Sequence, residues 1–288
     1  MAEAASELPT NADGSIYHLA LKPENIAKRV IYVGDPNRAL AVAERFDEKL
    51  MEKRHREFVS VKGTYKGKQV LVIGTGIGVG NVEITTVELF ELNEYDFENG
   101  RWKDDAEPLD IIRVGTCGTP QPDIKVGELA VTRYSLGMDN MGLYYHHDYE
   151  DGTVYRILDA LPESVKRFNP YVSSSSPEIV NKMLEVSEGL GAAAHAGITV
   201  ASPGFFGPQG RSVGRLPSRA DDVQKDYAPF RLQTDRGELR IVNNEMESSV
   251  MNRICNCLGY RSGMVGAVLA GRSSGEFLGP VEYKKAVD

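Results

Sequence analysis

Short apolar runs recur along the chain, and each ends in a turn rich in glycine, proline or polar residues. Their length and their many β-branched residues predict buried strands. The runs lie at residues 30–33, 59–61, 70–73, 111–114, 125–132, 195–202, 239–242 and 264–270. Between several of them, apolar residues recur every three or four positions, which predicts amphipathic helices. Strands are therefore expected to alternate with helices.

Four helices follow from this periodicity. Asp35 is placed to cap the first and Pro36 to occupy its first turn, and Ser176-Pro177-Glu178 begins the third. The predicted apolar faces are, in chain order, Leu40, Ala43 and Phe46; Val82, Thr86, Leu89 and Phe90; Ile179, Met183, Val186 and Leu190; and Val250, Ile254 and Cys257. Strands alternating with such helices predict an α/β sheet covered on both faces.

Polar stretches interrupt this alternation and are interpreted as irregular surface insertions. They lie at residues 93–108, 137–172 and 212–238. Residues 1–15 are polar and predict a flexible tail. Because no linker or change in composition divides residues 16–288, we expect one domain there.

Composition narrows the classes of partner. The net charge of −8 argues against nonspecific binding to nucleic acid or to an anionic membrane, since both favour a basic surface. No apolar run approaches the roughly 20 residues that a membrane helix needs. The start of the chain lacks the apolar segment of a signal peptide, and the three cysteines show no framework spacing. A cytoplasmic protein is expected.

The stretch from Ile111 to Thr119 is the first candidate for chemistry. An apolar strand carrying Arg113 runs into small residues from Gly115 to Gly118, which predict a glycine-rich turn after the strand. A buried strand seldom carries an unpaired guanidinium. Arg113 therefore either forms a structural ion pair or points at an anion, and on this stretch alone the two interpretations are equally supported.

Two further turns resemble anion-binding turns. Gly34 opens a strand–turn–helix with Arg38 one turn into the helix, a placement that could bind a phosphate. Taken alone, this segment is better interpreted as an ordinary strand–turn–helix with a surface arginine. Residues 74–81 are glycine-rich, but their spacing fails the G-x-G-x-x-G pattern, which disfavours a dinucleotide-binding dehydrogenase. Arginines beside these turns suggest a multiply charged anion, because guanidinium matches phosphate bidentately. They are Arg38, Arg56, Arg113 and Arg211.

Residues toward the C-terminus suggest a sugar and a planar ring. Glu245 and Glu247 put two carboxylates at one sheet edge, and a carboxylate can accept from the neighbouring hydroxyls of a ribose. Phe205 or Phe206 could stack on a ring whose polar edge Gln209 and Arg211 read; these residues lie in one loop rich in glycine and proline. Phosphate, ribose and base together predict a nucleoside or nucleotide ligand.

These motifs, in their order along the chain, resemble those of the nucleoside phosphorylases, and within them the pyrimidine-acting members. The matching segments are Gly34-Asp35-Pro36-x-Arg38, His55-Arg56-Glu57-Phe58, Gly76-Ile77-Gly78, Arg113-x-Gly115-Thr116-x-Gly118, Phe205-x-x-x-Gln209-x-Arg211 and Asn244-Glu245-Met246-Glu247-Ser248. Purine-type relatives place an aspartate after a serine at the end of the last strand. Here residues 270–273 read Ala-Gly-Arg-Ser, without the aspartate, which favours a pyrimidine.

The resemblance implies a three-layer fold, with a central mixed sheet flanked by helices on both faces, and a role for each matching residue. The implied phosphate ligands are Gly34, Arg38, Arg56, Arg113 and Thr116, and the implied ribose contacts are His18, Met246 and Glu247. The implied base contacts are Phe205, Gln209, Arg211 and Gly118, with Arg272 near the base edge. Those implied to act in catalysis are Arg113, Gln209, Arg211 and Arg272.

The resemblance also implies an assembly. His18 and Arg56 would come from the partner subunit of a homodimer, and the insertions make a dimer a safer expectation than a hexamer. Glu57 with Asn81 could flank a structural interface cation, although an ordinary hydrogen-bonded pair is an equal alternative. No cofactor is expected, since phosphate is a co-substrate.

The implied reaction is the reversible phosphorolysis of uridine, or of deoxyuridine or thymidine, with uridine giving uracil and ribose 1-phosphate. Phosphate attacks the anomeric carbon through an oxocarbenium-like transition state, and donors on the base stabilise the departing anion. The alternatives are a nucleosidase on the same fold, which uses water, and a non-catalytic nucleoside-binding protein. Phosphate dependence and release of free base distinguish the three.

Overall fold

A computed structural model describes residues 4–149, 152–235 and 237–279. The fold is mixed α/β, as expected. Two compact units divide the chain: the first lies within Met1–Ile112 and Leu258–Arg261, the second within Arg113–Cys257 and Ser262–Asp288. The interpretation of residues 16–288 as one catalytic domain stays a prediction. Within the described ranges, every helix is too short or too polar to cross a bilayer.

In its described residues, the first unit is a mixed sheet with two α-helices. Its elements are β1 (Arg29–Val33), α1 (Pro36–Ala43), β2 (Glu48–His55), β3 (Phe58–Tyr65), β4 (Lys68–Gly74), α2 (Val79–Glu94) and a short hairpin of β5 (Tyr95–Asp96) and β6 (Arg101–Trp102). β1 runs parallel to β4, whereas β3 pairs antiparallel with both β4 and β2. Each parallel strand is followed by a helix, so the amino ends of α1 and α2 follow the carboxyl ends of β1 and β4.

Capping and burial explain both helices. The Oδ1 atom of Asp35 accepts a hydrogen bond from the backbone N of Asn37 at 2.8 Å, which confirms the predicted cap of α1. In α2 the predicted Val82, Thr86 and Leu89 are buried, as expected. Residues 4–15 form turns, and whether this tail is flexible in solution stays a prediction.

At the end of β4 the backbone of Gly74 lies close to Pro36 of α1, which predicts that a side chain at Gly74 would lower stability. A Cβ atom at Gly74 would lie 2.7 Å from Cα of Pro36, whereas one at Gly80 in α2 would meet nothing within 4 Å. We expect Gly74→Ala to lower the free energy of unfolding by about 1–3 kcal/mol through overpacking. Gly80→Ala is the control and should be neutral or raise it by about 0.5–1 kcal/mol. Urea unfolding measures both, and equal midpoints for the two variants would contradict the packing argument.

The second unit is a larger mixed sheet with five helices in the described ranges. Its elements are β7 (Asp110–Thr119), β8 (Leu129–Gly137), α3 (Thr153–Ala160), α4 (Glu163–Lys166), β9 (Tyr171–Ser174), α5 (Pro177–Gly189), β10 (Ala194–Ala201), α6 (Val223–Tyr227), β11 (Arg231–Thr234), β12 (Gly237–Glu245), α7 (Ser248–Leu258) and β13 (Arg261–Gly271). β7, α7 and β13 are placed with the unit that holds most of their residues. The strand order is β11-β12-β10-β8-β13-β7, with β9 paired to β8.

The carboxyl ends of four strands meet in this unit. β10 runs parallel to β8 and β12, and Gly118 of β7 pairs with Asn244 of β12. The backbone N of Ser202, just after β10, donates to the carbonyl of Glu245 at 2.8 Å, and the backbone N of Arg272, just after β13, donates to the carbonyl of Thr119 at 2.8 Å. Side chains that follow these strands are thereby brought to one edge of the sheet.

The small residues Gly115–Gly118 are predicted to form a turn, but β7 continues through Thr119. The strand predicted at 239–242 is also longer than expected, since β12 continues through Asn243 and Asn244 to Glu245. The polar and small residues here pair with neighbouring strands, which a search for apolar runs does not detect. The consequence is that Arg113, Asn244 and Glu245 stand on rigid strands.

Two predicted insertions contribute to the core instead of lying only on the surface. Residues 137–172 contain α3 and α4, and residues 212–238 contain α6 and β11. Their buried residues, which join one hydrophobic cluster with β8, β10 and β12, are Val154, Ile157, Leu161, Val165, Val172, Ala220, Val223, Tyr227 and Phe230. The helices are short and lie among polar residues, so the apolar pattern of the sequence did not reveal their contribution to the core. The stretch 93–108 begins in the last turn of α2 and then forms the β5–β6 hairpin.

Three predicted helix faces are also corrected. In α1 the buried residues are Ala39 and Ala43, while Leu40 is only half-buried. In α5 they are Ile179, Val180 and Ser187, whereas Val186 and Leu190 are exposed. In α7, Val250 and Ile254 are buried as predicted, but Cys257 is exposed and Cys255 is buried. Several three-to-four spacings coexist in each helix, and only packing against the sheet selects among them.

Candidate active site

A buried arginine and two buried glutamates form the centre of the second unit's strand-end cluster. The Nη2 atom of Arg113 lies 2.7 Å from Oε2 of Glu247, and its Nε atom lies 3.8 Å from Oε2 of Glu245. The side chains are only 5%, 6% and 2% exposed, respectively. The ion-pair interpretation of Arg113 is therefore confirmed. This pair also fixes both the guanidinium and the Glu247 carboxylate in place.

Glu245 holds the start of α7. Its carboxylate accepts from the backbone N of Glu247 at 2.9 Å, from the backbone N of Ser248 at 3.0 Å and from the Ser248 hydroxyl at 2.7 Å. Burial, followed by the charge of Glu247, raises the pKa of Glu245, while Arg113 and the Ser248 donors act in the opposite direction. The two glutamates therefore have different roles: Glu245 fixes the start of α7, and Glu247 pairs with the guanidinium of Arg113.

Buried hydroxyl and amide side chains form hydrogen bonds around this cluster. The Ser135 hydroxyl donates to Oγ of Ser248 at 2.9 Å, and Nδ2 of Asn252 donates to Oγ of Ser135 at 3.0 Å. The hydroxyl of Ser202 donates to Oδ1 of Asn244 at 3.0 Å. Buried hydrogen-bond networks of this kind help to hold a site rigid.

A second cluster carries an arginine on an aromatic ring. Nη1 of Arg211 donates to Oε1 of Gln209 at 2.5 Å and to the carbonyl of Phe205 at 2.5 Å. Its Cζ atom lies 4.0 Å from the centre of the Phe205 ring, within cation–π distance. Gln209 is buried, whereas Phe205 is 46% exposed. The structure thus brings together the three residues that the sequence assigned to a base.

Arg272 extends this cluster toward the strand ends. Its Nη2 atom donates to the carbonyl of Gln209 at 3.0 Å. Burial and the charge of Arg272 lower the pKa of Arg211 to about 10, and burial lowers the pKa of Arg272. Both guanidiniums are protonated at neutral pH. Two adjacent cations favour a ligand that carries or develops negative charge.

Gly118 lies where the two clusters approach each other. A Cβ at this position would lie 3.6 Å from Cβ of Ala270 and 3.9 Å from Cγ of Arg272. The pairing of Gly118 with Asn244 places it next to the strand that carries Glu245. Thr116, two residues earlier in β7, and Met246, directly after β12, are both half-buried. The predicted base residues, together with Met246 and Glu247 of the predicted sugar residues, therefore lie in one region of this unit.

The first unit holds the other predicted residues, in two places. Gly34 follows β1 directly and precedes the Asp35 cap of α1, with Arg38 in the first turn. In the neighbouring turn after β4, the backbone has φ of +78° at Gly76 and +99° at Gly78, values that favour glycine. Side chains at these positions would strain the turn that starts α2.

His18 and Arg56 lie together around Tyr17. The His18 ring centre is 4.8 Å from that of Tyr17, and Cζ of Arg56 lies 4.6 Å from the same ring centre. Buried Glu88 of α2 holds His18: its Oε1 atom is 2.7 Å from both Nδ1 and the backbone N of His18. Sequence reasoning missed Tyr17 and Glu88. A glutamate on the mostly apolar side of α2 was the available signal.

Potential metal ligands are not clustered in the part of the chain that the structure describes. Among the residues that the structure describes, no group of three or more His, Cys, Asp or Glu side chains is arranged to hold a metal ion. The interface cation at Glu57 and Asn81 stays a prediction.

Comparisons with known proteins identify the family. The model of the phosphorylase superfamily matches residues 28–278. A uridine phosphorylase of Thermococcus kodakarensis is 29% identical over 275 residues, covering 95% of this chain and 83% of that protein. One from Salmonella typhimurium is 27% identical over 266 residues, covering 91% and 88%.

A solved structure shows the same fold. The nucleoside phosphorylase of Trypanosoma brucei, whose crystal structure is described as showing uridine phosphorylase activity, superposes with a TM-score of 0.88 at 31% identity. The match covers 97% of each chain. The expected nucleoside phosphorylase-like fold is thereby confirmed.

Proposed function

This chain belongs to the phosphorylase superfamily, and from that premise we propose that it is a pentosyltransferase that catalyses the reversible phosphorolysis of uridine. Deoxyuridine and thymidine are further candidate substrates. The observation that carries the proposal is the contact of Gln209 and Arg211 beside Phe205. An amide and a guanidinium held against an exposed aromatic ring suit a planar base with polar oxygens.

The proposed chemistry breaks the bond between the base and the anomeric carbon as phosphate oxygen attacks that carbon. The transition state resembles an oxocarbenium ion, and the bonding electrons leave with uracil. Donors from Arg211 and Gln209 stabilise the anion as it develops, with Arg272 close by, which lowers the barrier rather than merely binding substrate. No covalent intermediate with the protein is required.

Ribose contacts are proposed for Met246 and Glu247. The carboxylate of Glu247 is held by Arg113 at 2.7 Å, so its oxygens keep one orientation in which they can accept from sugar hydroxyls. Such fixed placement matters because small displacements of a substrate-positioning group reduce rate strongly. Gly118 is proposed to lie against the base, where a side chain would take up space.

Phosphate ligands are proposed in each unit on separate grounds. In the first unit, Gly34 and Arg38 stand at the start of α1, where backbone N–H groups and a guanidinium favour an anion. In the second unit, Arg113 and Thr116 are proposed for the same role. Arg113 then has two functions, since its guanidinium can donate to phosphate from one edge while it pairs with Glu247 from another.

A homodimer and a cytoplasmic location are part of the proposal. His18 and Arg56 are proposed to reach the partner's sugar and phosphate; their shared position around Tyr17 supports a joint role. The place of such an enzyme is pyrimidine nucleoside salvage, and its co-substrate is phosphate.

One assay tests the proposed reaction. Release of free base from uridine, deoxyuridine, thymidine and inosine is measured with and without phosphate. We expect fast release from uridine that requires phosphate, and little from inosine. Release of equal rate without phosphate would indicate a nucleosidase, and no release on prolonged incubation would indicate a binding protein; either result contradicts the proposal.

A further inference from the structure

A pocket of about 430 Å³ lies in the second unit, apart from the clusters described above. Its walls include Ala196 near the start of β10 and Leu239 near the start of β12. The candidate active site follows the opposite ends of these strands. Six residues separate Leu239 from Glu245, which corresponds to about 20 Å along a strand. The pocket therefore lies toward the other edge of the sheet.

Arg133 enters this pocket from a β-bulge. In the pairing of β8 with β10, Gly197 lies opposite Thr132 and Ile198 lies opposite Tyr134, so Arg133 is an extra residue in β8. A bulge re-aims the side chain of the extra residue and is often found beside functional sites. The Arg133 carbonyl accepts from the backbone N of Ser175 at 2.9 Å, which keeps the distortion paired.

Arg133 brings a positive charge into this pocket. The residue is half-buried and lines the pocket. Among the described residues it has no ion pair and no side-chain hydrogen bond. A partly desolvated guanidinium gains from an anionic partner, and a carboxylate matches its fork of donors bidentately.

Hydroxyl groups supply further donors in the same pocket. Ser174, Ser175 and Thr153 all contribute to its lining. Nδ2 of Asn252 donates to Oγ of Ser175 at 3.1 Å, so this hydroxyl is positioned as an acceptor and can pass its own hydrogen to a ligand oxygen. The remaining walls include apolar groups from Tyr134, Pro177, Val180 and Leu239.

Acidic residues in the lining limit the charge of the ligand. Glu238 is occupied, with Oε2 accepting from Gln233 at 3.1 Å and Oε1 lying 3.5 Å from Nε of Arg231. Asp235 is exposed and also lines the pocket. Negative charge near the ligand disfavours multiply charged anions such as phosphates relative to a single carboxylate.

We propose that this pocket binds a small monocarboxylate with an apolar body, its carboxylate paired with Arg133 and its body packed against the apolar walls. The site is separate from the proposed uridine site and does not depend on that activity. It is an accessory binding site for an organic acid.

Fluorine NMR of the full chain tests the proposal with 4-fluorobenzoate as the probe. We expect saturable binding to the wild type and at least about tenfold weaker binding to Arg133→Gln, as for loss of a charged hydrogen-bonded partner. Arg29→Gln, an exposed arginine of the first unit, is the matched control and should bind as the wild type does. Ala196→Leu, which fills the pocket without changing its charge, should also lose binding.

Two comparison ligands separate the sources of affinity. The neutral 4-fluorobenzamide and the dianionic 4-fluorophenyl phosphate should each bind more weakly than 4-fluorobenzoate. Circular dichroism and uridine phosphorolysis of each variant show whether it is folded. Absence of binding to the wild type, equal binding of benzoate and benzamide, equal binding to folded Arg133→Gln, or displacement by uracil would overturn the proposal.

Discussion

Replacing Arg113 with methionine is expected to remove most phosphorolysis and to lower the free energy of unfolding by about 3–5 kcal/mol. Methionine retains an unbranched apolar stem but no charge. The variant leaves Glu245 and Glu247 buried at 2% and 6% exposure without their cation. Breaking a buried ion pair on one side is costly because the remaining charge has lost its water. Chemical unfolding and kcat/KM measure the two effects.

The stability loss of this variant should depend on pH. Burial and the charge of Glu247 raise the pKa of Glu245 in the wild type, and Arg113 opposes this rise. Without Arg113 the folded-state pKa of Glu245 rises further, so the folded variant binds protons more tightly than its unfolded chain. Its stability should therefore increase as pH falls. The deficit relative to the wild type should be larger at pH 8 than at pH 5.

A double variant tests whether the loss of stability comes from unbalanced charge, separately from the loss of activity. In Arg113→Met combined with Glu247→Gln, one buried negative charge is removed together with the positive one. We expect part of the lost stability to return while activity stays low, because the proposed contacts to phosphate and ribose are missing. Full stability in the single variant would show that the ion pair does not hold the strand ends together.

Arg211→Ala is expected to lower kcat/KM for uridine by about 10²–10³, the usual effect of removing one well-placed donor to a developing anion. The variant loses the stacking on Phe205 and the contact with Oε1 of Gln209. Arg211 is only half-buried, so the fold should remain and the thermal midpoint should change little. Steady-state phosphorolysis with saturating phosphate is the measurement.

Arg215→Ala is the matched control for this prediction. Arg215 is exposed in the same segment of the chain and has no proposed role, so its kcat/KM should equal that of the wild type. Near-normal turnover by folded Arg211→Ala would refute the assignment of Arg211 to the base. A loss confined to KM would indicate that Arg211 binds uridine equally in the ground state and the transition state.

Local chemistry explains why part of the architecture was predictable. Pro36 with Asp35 marked the start of α1, and the apolar periodicity of α2 gave its buried face. Strand lengths were less predictable. β12 carries Asn243, Asn244 and Glu245 at its buried end, and polar residues at such positions resemble a turn until their partners on neighbouring strands are known.

The buried residues of the predicted insertions were also not predictable from the sequence. Val154 and Ile157 are buried against residues distant in sequence, while the chain around them is polar. Both lie in α3, which is only eight residues long and therefore too short to stand out as periodicity. Burial of this kind is a property of the assembled sheet, since long-range neighbours decide which face of a short helix is covered.

The types of chemistry could be predicted from the sequence: guanidiniums beside glycine-rich turns, carboxylates after a strand, and an aromatic, an amide and an arginine in one loop. These side chains lie in short local motifs, and the order of the motifs along the chain indicated the family. The pairing of Arg113 with Glu247 and the hydrogen bonds by which Glu88 holds His18 became visible only in the assembled fold. Both contacts join residues on different elements that are far apart along the chain, at distances that strand pairing and helix packing set and that no local spacing encodes.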